Sequence, residues 1–233
     1  MVKGKNLSSI NLSRMPAFFP LSLLCSCPLG AEITTLTVSD CPFDIGQVQK
    51  IIFQRVYSTG GTRNTMTVAN AALEATWTAL FAANNGTKVT ISPYVEEPVT
   101  DGGDAREFGG GNATLGGIPR ITGKNPTTFS CMLRSPQSLI TEQLNDYPCE
   151  NLGVYLVTEN GKIIGNTDSN ATPVNLYPIP TRSFFIGDRK IGGFEEPDSC
   201  PISWRFLPNW SLKLKEITPS DFEALVDLTN AAT

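Results

Sequence analysis

Histidine is absent from all 233 residues. The commonest general base, the usual pH switch and the commonest zinc ligand are therefore missing. Ser-His-Asp and Cys-His catalysis are excluded on residue type alone. Charge is sparse as well: 17% of residues are charged and the formal net charge is −4. Mild acidity argues against a nucleic-acid binder that works by neutralising phosphates. None of the six cysteines (Cys25, Cys27, Cys41, Cys131, Cys149 and Cys200) belongs to a C-x-x-C pair. Cys25-Ser-Cys27 is too tight for a zinc knuckle, so reduced, partly buried thiols are expected. The longest apolar stretch, Met15–Ala31, is broken by Pro16, Pro20 and Pro28. It is too short and too proline-rich to span a bilayer.

Phosphate-binding signatures are also lacking. Gly111 and Gly116 have the spacing of a P-loop, but Gly117 and Ile118 stand where Lys and Ser/Thr belong. Gly109 and Gly111 lead to Thr114 where a dinucleotide fingerprint needs its third glycine. Asp101, Asp104 and Glu107 lack calcium-loop spacing. Glu96-Glu97 and Glu195-Glu196 are adjacent pairs, which on a strand point to opposite faces and cannot form a catalytic dyad. No cofactor, metal or catalytic residue is expected.

What is present suits one globular β-rich domain with an arm. Hydrophobic residues make up 40% of the chain, enough for a sizeable core. Twenty glycines and seventeen prolines point to many turns. Residues 1–31 hold Lys3, Lys5 and Arg14 and no acid, so a basic arm precedes an acidic body. That arm has the outline of a signal peptide, with Leu24-Cys25-Ser26-Cys27 as a degenerate lipoprotein box. The competing reading is an extended arm that packs on a neighbouring subunit. Residues 32–233 form the single β-rich domain, with a long glycine-rich loop at 98–126.

Within the body, alternation and β-branched content predict strands at 33–40, 49–58, 87–97 and 127–135. Two apolar runs around Glu159-Asn160-Gly161 predict a hairpin over 152–167. Further strands are expected in 174–187, 200–208 and 210–217. The spacing of Ala72, Thr76, Leu80 and Ala83 predicts a helix over 67–86, closed at Asn85-Gly86. Ser135-Pro136 reads as the start of a second helix, and Thr218-Pro219 with Asp221 as the capped start of a third. Trp204 and Phe206 alternate onto one face and are expected in the core. This order lacks the regular alternation of a parallel α/β sheet. The fold expected is mainly β, an antiparallel sandwich or barrel with two or three flanking helices.

The loop "DGGDAREFGGGNATLGGIP" (101–119) carries isolated apolar side chains among glycines. A long segment of this kind in a compact domain is functional or disordered. Its expected role is to clasp a neighbouring subunit through Phe108, Gly109, Gly110, Gly111, Leu115 and Ile118, gaining order when the partner is present.

The segments "DCPFDIGQVQKIIFQRV", "ISPYVEEPVTDGGDAREFGGGN", "LGVYLVTENGKIIG" and "FLPNWSLKLKEITPSDFEALVDL" resemble virion structural proteins of tailed phages of Bacteroidales-type hosts. Within that group, the element order resembles tail-tube subunits. The resemblance implies a non-enzymatic, self-assembling subunit of a tail tube, or of a related tail or neck piece. It implies hexameric rings that stack, contacts with other virion proteins, and DNA only as non-specific passage through a lumen. It places the protein in the virion, assembled in the host cytoplasm. The alternative is an exported or lipid-anchored cell-surface binding protein.

Overall fold

Two strands pair across the centre of the molecule, each with a run of buried residues. Val48–Arg55 (β1) runs antiparallel to Leu152–Thr158 (β8), with Ile51 opposite Leu156 and Phe53 opposite Val154. Every residue of β8 is buried, which requires cover on both faces. The computed structural model describes residues 43–168 and 171–230. The arm at 1–31, the strand expected at 33–40, and Cys25, Cys27 and Cys41 lie outside the described residues.

After β1 come Met66–Thr67 (β2), Val68–Ala71 (α1), Glu74–Ala82 (α2), Val89–Ile91 (β3) and Val95–Gly102 (β4). Ala105–Phe108 (β5), Arg120–Lys124 (β6), Thr127–Arg134 (β7) and Ser138–Asn145 (α3) follow, leading to β8. Ile163–Asp168 (β9), Asn175–Tyr177 (β10), Ile179–Ile186 (β11), Ser199–Phe206 (β12) and Leu214–Ile217 (β13) complete the order. The large sheet runs β2-β10-β9-β8-β11-β12-β7-β4, with β1 joining β8 to β3, and β13 lying on β9. Every pairing is antiparallel, so the mainly β fold expected from the sequence is the fold observed.

β11 turns the corner between two layers. Ile179 and Pro180 pair with β8, whereas Thr181 to Ile186 pair with β12. A bulge between Arg182 and Phe185 carries Ser183 at φ 54°, and bulges of this kind let a strand switch sheets. Between the layers, Phe53, Phe129, Phe184, Trp204 and Phe206 meet in one aromatic cluster. Trp204 stacks on Phe129 at 4.5 Å and on Phe184 at 6.2 Å. Trp204 and Phe206 are thus core residues, as their alternation predicts. A second cluster fills the other face of the β1–β8–β9 layer, where Trp77 and Phe81 of α2 pack with Tyr155, Val157 and Ile163.

Four expectations are corrected. The helix over 67–86 is broken at Ala72–Leu73, where Leu73 is extended (φ −109°, ψ 132°). The expected bulky face of Leu73, Trp77 and Leu80 is met in part: Trp77 is buried with Ala71 and Phe81, Ala72 and Leu80 pack against them half-buried, and Leu73 is exposed. The helix ends at Ala82, before Asn85-Gly86; Gly86 instead lies so close to the Thr59 backbone that a Cβ would clash. Ser135 does not cap α3: it sits at φ 43°, its N–H donates to Asp198 O, and Gln137 is the capping position. The strand over 87–97 is two strands, because Ser92 turns its hydroxyl to accept the Ile51 N–H before Pro93.

The terminal helix does not form either; residues 218–230 make turns. Asp221, expected to cap this helix, and two other polar residues of the segment bind other elements. Asp221 accepts the Glu74 N–H at 2.9 Å and so caps α2, while Ser220 donates to Ala72 O. Asn230 accepts the Ile91 N–H and donates to Ile91 O, both at 2.8 Å, closing the outer edge of β3. Replacing Asn230 with Ala orphans both backbone groups. It should cost ~1–3 kcal/mol, measured as a shift in the urea midpoint with unchanged slope.

Candidate functional site

The segment over 98–126 is not an unstructured loop. Its first part is the continuation of β4, and β5 and β6 then pair as a separate two-stranded ribbon. Glycine makes the departure possible. Gly102 and Gly103 adopt φ 95° and 83°, a region open to glycine, and lead the chain out of the large sheet. Asn125 N–H donates to Asp104 O and closes the base of the ribbon. Every residue of β5 and β6 is exposed, so the ribbon projects from the body.

The tip is held by its own hydrogen bonds. Thr114 Oγ1 accepts the Gly110 N–H at 3.0 Å and donates to Ile118 O at 2.8 Å. Ala113 N–H reaches Gly110 O, and Gly117 N–H reaches Thr114 O. Gly109, Gly110 and Gly111 all have positive φ, and a Cβ on Gly109 would fall inside the Thr114 methyl group. Leu115 opens the short 3-10 turn Leu115–Gly117. Phe108 and Ile118 are 64% and 72% exposed. The structure thus brings the candidate contact residues together in one projecting hairpin. Thr114 supplies a side-chain anchor for the tip within the chain. Sequence reasoning missed Ile121, also 72% exposed, which faces the partner strand at Glu107. The alternation of "RITGK" was the available signal.

The β4 edge beside the ribbon is guarded. Pro98 lacks a donor, and a bulge between Glu96 and Val99 holds Glu97 at φ 53°. That bulge overturns the expectation that Glu96 and Glu97 point apart. Both carboxylates accept from Arg134, at 2.7 and 2.9 Å. The Arg134 pKa is raised, first by the hydrogen bond to Glu96, with the charges of Glu96, Glu97 and Glu196 adding to it.

A cleft of about 950 Å³ opens between β3, the α3 region and the C-terminal segment. Several of its polar groups already have partners in the chain. Arg55 binds both oxygens of Glu150, Thr90 and Tyr147 share a hydrogen bond at 2.8 Å, and Asn230 is spent on Ile91. The hydrogen bond from Arg55 lowers the Glu150 pKa, and burial raises that of Tyr147. Cys131, deep in the inter-layer core, is pushed up to about 12 by burial and stays a thiol at neutral pH. Cys131, Cys149 and Cys200 are free thiols. Among the described residues, no group of three or more acidic or cysteine side chains could hold a metal ion, and no helix is long and apolar enough to cross a membrane.

No known family, curated protein or solved structure matches this chain. The fold and the site define it as a mainly β, antiparallel two-layer protein that carries a projecting, preformed β-ribbon.

Proposed function

We propose that the chain is a non-enzymatic structural subunit that completes itself through copies of its own kind. One observation carries this reading: Phe108, Ile118 and Ile121 stand exposed on a ribbon that touches no core of its own chain. An isolated two-stranded ribbon is marginal in water, so its retention with apolar anchors suits a joint better than a surface ornament. The finer reading is a phage tail-tube subunit or a related tail or neck piece. It rests on the resemblance of the segments named above and on the order of β-sandwich, flanking helices and reaching element.

The energetics ask for more than the ribbon tip. Burying three such side chains yields ~1.5–3 kcal/mol each. Association costs about 4–15 kcal/mol before any surplus appears. A ribbon alone therefore gives weak pairing, while a ring in which each copy both gives and receives a ribbon is held twice per subunit. Size-exclusion with light scattering, followed by negative-stain microscopy, tests the reading. Rings that stack favour the tube; closed oligomers that do not stack favour a connector or neck role; a monomer contradicts both.

A further inference from the structure

The ribbon needs a seat, and its own chain cannot supply one. β4 and β7 pair from Val95–Leu133 at one end to Gly102–Thr127 at the other, and the ribbon leaves from the second end. Eight residues at about 3.3 Å each put roughly 25 Å between those ends. The far end holds Glu96, Glu97 and Arg134, together with the connection from β11 to β12 at 187–198.

That connection presents apolar groups on a fixed frame. Lys190 and Ser199 exchange both backbone hydrogen bonds, and Gly192 N–H donates to Asp198 Oδ1. Gly192 has no room for a Cβ against the Glu196 carbonyl. On this frame Ile191 is 86% exposed and Phe194 is fully exposed. β5 and β6 differ from the far end in the sign of their net charge. They carry Arg106, Arg120 and Lys124 against Glu107, while Asp101 and Asp104 precede them at the base of the ribbon. At the far end Glu96, Glu97 and Glu196 act on Arg134, Arg189 is paired with Asp198, and the 187–198 connection adds Glu195 and Asp188 against Lys190.

We propose that the 187–198 connection and the Glu96–Glu97 corner form the seat for the ribbon of a second copy, so that copies join head to tail along the strand direction. This rests on the self-assembly reading of the ribbon and adds its receiving surface. Apolar side chains on both partners supply contact, and basic ribbon against acidic seat supplies orientation. A head-to-tail contact is heterologous, so it closes into a ring or runs on as a filament. Like-charged seat-to-seat and ribbon-to-ribbon encounters are disfavoured.

Two charge-reversed variants test it. One carries Arg106→Glu and Arg120→Glu in the ribbon; the other carries Glu195→Lys and Glu196→Lys in the seat. Each alone should lose at least tenfold in self-association by analytical ultracentrifugation, with thermal unfolding near that of the parent. Mixed in equal amounts they should associate again, because each reversed ribbon then meets a reversed seat. If the parent assembles and the variants do so equally well, or if the mixture stays dissociated, the seat is wrong while self-assembly stands. If the parent itself never assembles, both readings fall. Should a reversed variant fail to fold, Ile191→Ser with Phe194→Ser replaces it; unchanged association of that variant overturns the seat.

Discussion

Replacing Gly103–Pro126 with Asn-Gly is expected to leave the two-layer body folded and to abolish self-association. The excised residues contribute nothing to either core cluster. The last pair of the parent sheet, Gly102 with Thr127, would then be joined by a two-residue turn, for which Asn-Gly is the favoured sequence. Loop-closure entropy varies slowly with length, and shortening the connection to two residues changes stability by ~2 kcal/mol in the stabilising direction. The unfolding midpoint should not fall below that of the parent and should rise by ~4–8 °C at most, given ~2–4 °C per kcal/mol at this size. Mass by light scattering should fall to that of a single chain. Retention of oligomers by the shortened chain would move the joint elsewhere on the surface.

The largest stability loss is expected at Trp204. Its side chain is fully buried between Phe129 and Phe184 and within about 6 Å of the Phe53 and Phe206 rings, so Ala leaves a cavity that β-sheet neighbours cannot fill. Trp204→Ala should cost ~3–5 kcal/mol. That is a large part of the roughly 5–15 kcal/mol that holds a domain together. Trp204→Phe should cost far less than the lost ring volume implies. The Trp204 Nε1–H has no hydrogen-bond partner among the described residues, and removing an orphaned buried donor relieves ~1–3 kcal/mol of desolvation penalty. Urea titration of both variants checks the pair. A Phe variant as damaged as the Ala variant would mean that the indole N–H is satisfied.

Local patterns made the sheet legible. β7, β8 and β12 carry alternation or apolar runs, and the Asn160-Gly161 turn fixes one hairpin with Gly161 at φ 70°. The failures have a common cause: polar side chains chose partners far away in sequence. Asp221 reads as part of a capping box, yet it binds Glu74, and Ser220 and Asn230 of the same segment bind Ala72 and Ile91. Without those partners on view, a capped terminal helix was the natural reading. Leu73 broke the first helix for a reason of the same kind, since the cap of α2 comes from Asp221, outside the segment.

The candidate site was legible in position but not in form. Glycine richness marked the place, while the ribbon depends on register between Ala105–Phe108 and Arg120–Lys124, a pairing that spans the whole tip. The bulge that turns Glu96 and Glu97 onto Arg134 is likewise invisible in a strand pattern with period two. The acidic, apolar seat at 187–198 carried no sequence signal of function, because its meaning lies in where β11 and β12 place it relative to the ribbon.

The mass of the parent chain in solution tests the central claim most directly. Light scattering across a wide concentration range should report multiples of 25.2 kDa that grow with concentration, with rings or stacked particles visible by negative stain. A single species at 25.2 kDa, unchanged up to the highest concentration reached, would contradict it.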